Sequence, residues 1–176
     1  SFRKLKVGII VDDVKQPYLI NDLYQNSLDS SRYSIEALII QKKNKIKKNI
    51  FHKTINYIKK NGFNRLVDRL LFEVITKVEE NLMKKKNEFK KIFITHPISK
   101  FNVQKIYVDP NISPSGLFYR YKNFDIEKIK KLQLDLLIRG GSGILKGEIL
   151  DICRLGIISF HHGDNNLNRG GPPGFW

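Results

Sequence analysis

The chain has 176 residues, of which 41% are hydrophobic and 28% charged, a balance that suits one globular domain with its own core and argues against wholesale disorder. No apolar run approaches the roughly 20 residues needed to cross a bilayer, residues 1–6 lack the apolar core of a secretory signal, and the single cysteine, Cys153, excludes an internal disulfide framework or a multi-cysteine metal site. The expectation is a cytoplasmic protein with no membrane association. The net charge of +15 is unevenly spread: residues 42–91 carry sixteen basic and five acidic side chains, whereas residues 133–176 carry four of each. The basic residues are 24 Lys against 8 Arg, and Ile (24) and Asn (15) are also abundant. All three favoured residues have A/T-rich codons, and planar recognition of phosphate favours Arg. Nucleic-acid binding by the basic stretch is therefore an alternative and not the leading reading.

In chain order, residues 6–12 form a short apolar run rich in β-branched side chains, the mark of a strand buried on both faces. Residues 34–40 repeat it, and residues 17–28 between them fit a helix, which makes a βαβ opening. Residues 41–49 read as a polar loop, and residues 51–60 as a short helix ending at Gly62. From Phe63 to Leu82, apolar residues recur at three- and four-residue spacing, predicting a long amphipathic helix. Residues 91–95 and 105–108 are strand candidates, and 109–116 is rich in turn residues. Asn123 is expected to cap a helix over 124–133. A buried strand at 134–138 runs into the turn Arg139-Gly-Gly-Ser-Gly143, a helix is expected over 145–154, and a last strand over 156–160. The pattern predicts an α/β fold: a Rossmann-like, mostly parallel sheet with helices on both faces and a basic helical insertion at 42–91.

Open parallel sheets bind ligands outside the carboxyl ends of their strands. Two segments fall there. The first is the glycine turn at 139–143, which matches neither a dinucleotide fingerprint nor a P-loop. The second is the stretch from His161 to Trp176, with two histidines, an Asp, three Asn, an Arg and four glycines. Core packing does not account for that composition. Metal binding is not expected, because His161 and His162 are adjacent and point to opposite sides of an extended chain. Ser159, His161 and Asp164 are too close in sequence to form a catalytic relay, and no nucleophile elbow is present.

The residues 135–145 with the glycine turn, then Gly156-Ile-Ile-Ser-Phe-His161, then Arg169-Gly170-Gly-Pro-Pro173 resemble the folate-dependent formyltransferases. That family includes methionyl-tRNA, glycinamide-ribonucleotide and sugar-amine formyltransferases. Its signature is a strand ending in Asn-x-His followed by a spaced Arg-Gly and Pro, and His161, Arg169, Gly170 and Pro173 stand in that register. The resemblance covers about residues 123–176. It implies transfer of a formyl group from 10-formyltetrahydrofolate to a small-molecule or nucleotide-linked amine. It also implies His161 as the catalytic residue and Ser159 where the family has its Asn. The backbone of Arg139, Gly140, Gly141 and Ser142 would face the pterin, and His162, Asp164, Arg169 and Gly170 would lie on the acceptor side. The family's catalytic Asp falls beyond Trp176, so the segment reads as an incomplete piece of such a domain. A catalytically weak or non-enzymatic relative that binds a ligand or partner chain is the other alternative.

Overall fold

The computed structural model describes residues 3–12, 14–42 and 62–159. The chain divides into two compact units, one of Ser1–Gln16, Ile20–Lys43 and Pro97–Trp176, the other of Pro17–Leu19 and Asn44–His96.

The larger unit is built on a parallel sheet. Strand β1 (Leu5–Val11) is followed by the short β2 (Lys15–Pro17), helix α1 (Tyr18–Asp29) and strand β3 (Tyr33–Gln41). Three further strands of the same sheet are β5 (Gln104–Val108), β8 (Leu136–Arg139) and β10 (Ile157–Ser159). Their spatial order is β10-β8-β1-β3-β5, with every neighbouring pair parallel. This is a Rossmann-like α/β sheet, wound outward in both directions from β1.

Alternation along the strands sorts the side chains onto two faces. Val7, Ile9, Val11, Leu38 and Ile40 meet Ile20 and Tyr24 of α1, with Phe101 beside them. Ile10, Ile39, Ile106, Val108 and Leu137 meet Ile126 and Ile129 of α4 (Asn123–Lys130). Helices therefore cover both faces. Gly8 sits in close packing at the centre: a Cβ there would come within 2.6 Å of Leu134 Cδ1 and 2.8 Å of Leu137 Cδ2, so both leucine side chains would have to shift. One residue of slip between β1 and β3 pairs Val7 with Ile35 but Gly8 with Ala37. The slip leaves Glu36 exposed in an otherwise buried strand.

A second, three-stranded sheet has the order β6-β7-β9, from β6 (Asn111–Ile112), β7 (Phe118–Arg120) and β9 (Ile144–Lys146). Single 3₁₀ turns occupy Ile98–Lys100 and Glu148–Asp151.

In the smaller unit, α2 (Phe63–Lys85) is the long amphipathic helix expected from the spacing. Its stripe of Phe63, Val67, Leu70, Leu71, Val74, Ile75, Val78 and Leu82 is exposed. An extended Lys86 separates it from α3 (Asn87–Phe93), and β4 (Thr95–Pro97) follows.

Three expectations are corrected. The strand expected at 91–95 is helix up to Phe93, where Phe89, Ile92 and Phe93 follow helical spacing amid lysines, and strand β4 begins only at Thr95. The helix expected at 145–154 is strand β9 and a single 3₁₀ turn, because Gly147 at φ 85° breaks any continuous helix there. Asn123 is the first residue of α4 and not its cap. The capping position is Lys122, which makes no side-chain cap bond, and the helix ends at Lys130 before Gln133 turns left-handed at φ 49°. The helix expected at 51–60 lies outside the described residues.

No described helix is long and apolar enough to cross a membrane.

Candidate functional site at the sheet's switch point

Strand order reverses between β1 and β8: the chain leaving β1 runs to β3 on one side, and the chain leaving β8 runs to β10 on the other. At such a point the loops diverge and leave a crevice at the carboxyl edge. The residues there are Asp12, just past β1, and the turn 139–143, just past β8. The two are tied together by side chains. Asp12 Oδ2 accepts the backbone N–H of Ser142 at 2.6 Å, and its Oδ1 accepts from Gln41 Nε2 at 2.7 Å. Gln41 is the last residue of β3 and only 1% exposed. Its Nε2 also donates to the Ser142 carbonyl at 3.3 Å, and its Oε1 accepts the Tyr121 hydroxyl at 3.1 Å. Burial raises the Tyr121 pKa, helped by the negative charges of Asp12 and Asp125. The phenol stays protonated and acts as a donor to Gln41.

The glycines of the turn are steric requirements of this network. A Cβ on Gly141 would lie 2.7 Å from both Asp12 Oδ1 and Gln41 Nε2. Gly143 has φ 81°, and a Cβ there would strike the Tyr119 ring. Gly140, at the end of the ladder, donates its N–H to the Ile10 carbonyl at 2.8 Å.

Arg139 closes the other side of the turn. Strand register sets it opposite both Ile10 and Ser159. Its Nη1 donates to Ser159 Oγ at 3.1 Å. Its Nε is buried and has no hydrogen-bond partner among the described residues. An unpaired buried donor is costly and marks the carboxyl end of β8 as a place where local packing is not optimised for stability alone.

Of the residues singled out from sequence, Arg139, Gly140, Gly141, Ser142 and Ser159 therefore share one edge of the sheet. His161, His162, Asp164, Arg169 and Gly170 lie outside the described residues. Asp12, Gln41 and Tyr121 were not anticipated. Asp12 and Gln41 carry a signal, each being the polar residue that ends a buried apolar run. Tyr121 carries none.

No protein-family model, curated protein or solved structure matches this chain.

Proposed function

We propose that the domain transfers a formyl group from 10-formyltetrahydrofolate to an amine. The observation that carries the reading is the hydrogen bond from Arg139 to Ser159. It joins the two stretches that resemble the formyltransferases, the glycine turn and the strand leading to His161, at the edge where such sheets bind ligands.

Formyl transfer is an acyl transfer. The amine nitrogen bonds to the formyl carbon, the bond from that carbon to the donor nitrogen breaks, and negative charge gathers meanwhile on the formyl oxygen. A donor aimed at that oxygen and a base for the amine's proton are the needs of the step. A histidine titrates near neutrality and suits the proton transfer, the role that the family resemblance assigns to His161. Ser159 stands where the family has an amide donor. A free serine hydroxyl rotates, but this one accepts from Arg139, which restrains it and leaves its own O–H to donate outward. The exposed Gly140 leaves the backbone of the turn open to a flat ring.

The test uses 5-formyltetrahydrofolate as a stable binding probe and 10-formyltetrahydrofolate with a panel of amines for turnover. Arg139→Leu weakens probe binding. In a full-length protein that carries the family's Asp, His161→Ala lowers turnover about 10²–10³-fold with probe binding retained, whereas His162→Ala has a smaller effect. A wild-type chain with no affinity for the probe rejects the reading.

A further inference from the structure

The sheet β6-β7-β9 presents different chemistry on its two faces. Ile112, Tyr119 and Leu145 form one cross-strand row and pack on the core. The neighbouring row, on the opposite face, is Asn111, Arg120 and Lys146. Asn111 pairs directly with Arg120, and Arg120 directly with Lys146. All three are exposed.

Register thus holds two cations side by side, and like charges placed directly opposite destabilise a sheet. Among the described residues, neither has a carboxylate partner. Both are nevertheless held in place. Lys146 Nζ sits over the Phe118 ring, 3.7 Å from its centre. Arg120 lies along Gly147, where an added Cβ would be 3.2 Å from Nη1 and 3.6 Å from Cγ. Together with Ile112, Ser113 and Phe118, the three polar residues line a cleft of about 330 Å³ that has no acidic side chain in its wall.

We propose that this cleft binds the phosphoryl group of a small phosphate monoester. Such a group carries about −1.5 to −2 charge at neutral pH, which matches the two cations. The Arg120 guanidinium can engage two of its oxygens, the Lys146 ammonium acts as a point charge, and the Asn111 amide donates a further bond. Bound phosphate would relieve the repulsion that the strand register imposes. The inference is independent of the formyl-transfer reading: it draws on other residues, and its test does not involve folate.

Thermal unfolding in inorganic phosphate, with ionic strength held constant by chloride, provides the test. Phosphate raises the midpoint of the wild-type chain in a saturable manner. Arg120→Gln and Lys146→Gln each weaken the apparent affinity about tenfold or more. In phosphate-free buffer each variant is at least as stable as the wild type, since the like-charge pair is gone. Lys131→Gln, which removes an exposed cation beyond α4, leaves the phosphate response unchanged. No response at millimolar phosphate, or equal responses in all these proteins, overturns the site. A nucleoside monophosphate that competes with inorganic phosphate supports a small-molecule source. Binding confined to single-stranded RNA, with no response to monoesters, overturns the assignment.

Discussion

Gln41 and Asp12 meet at 2.7 Å beneath the glycine turn, joining the ends of two neighbouring strands to a loop that lies 101 residues further along the chain from Gln41. The bond holds the turn in shape from below, because the other Asp12 oxygen fixes the Ser142 amide. Gln41→Leu removes both donor and acceptor, taking away the acceptor of the Tyr121 hydroxyl and one donor to Asp12. A loss of about 1–3 kcal/mol is expected. Gly141→Ala acts on the same place by crowding, with a cost of about 1–3 kcal/mol. Urea unfolding of the two single variants and the double variant checks this. The double variant should lose less than the sum, since leucine no longer offers the polar contact that alanine disturbs.

Asp135 is nearly covered, at 3% exposure. Its carboxylate accepts the Lys6 backbone N–H at 2.9 Å and faces Arg3 and Arg154. The Lys6 bond, followed by the two guanidinium charges, holds its pKa below the ordinary value against the opposing effect of burial. A carboxylate with a depressed folded pKa adds stability above its unfolded value, about 3.9, and loses it as pH falls through the folded one. Asp135→Asn should therefore be less stable than wild type at neutral pH, with the gap closing below about pH 4. Urea midpoints of both proteins between neutral pH and strong acid measure the gap. A gap of constant size would mean that the residue contributes through shape alone.

Cys153 is a buried thiol on the core side of the sheet. Burial, with a smaller contribution from the Asp135 charge, pushes its pKa up to about 11. The thiolate is the reactive form, so iodoacetamide at neutral pH should leave the native chain unmodified and label it promptly in urea. Labelling of the native chain at the rate of a free thiol would show that this side of the core opens readily.

Elements whose character is set by their own residues were legible in the sequence. The β1–α1–β3 opening could be read from β-branched runs around a helical spacing, and α2 from its stripe of three- and four-residue repeats. Elements defined by their neighbours were not. Ile144, Leu145, Ile149 and Cys153 are spaced as on a helix. Leu145 is in fact a strand residue beside Tyr119 of β7, and Ile149 is buried by a single 3₁₀ turn. Local propensity yields in this segment to pairing across the sheet. The candidate site divides along the same line. Glycines after a buried strand mark the turn at 139–143 as a place for a ligand. What shapes that turn is a carboxylate and an amide at the ends of two other strands, and nothing local to Asp12 or Gln41 announces their meeting.

The central position of β1 has a consequence for the growing chain on the ribosome. One edge of β1 is paired as soon as β3 is complete at Gln41, but its other edge waits for β8, which begins at Leu136. At about 5–20 residues per second, synthesis of the intervening chain leaves that edge open for roughly 5–20 s. During this interval Val7 to Val11 present an apolar strand edge with unpaired backbone groups, a template for pairing with another chain. Emergence of residues 136–139 from the exit tunnel ends that exposure, so a pause in translation shortly before Leu136 prolongs the time for which the open edge can pair with another chain.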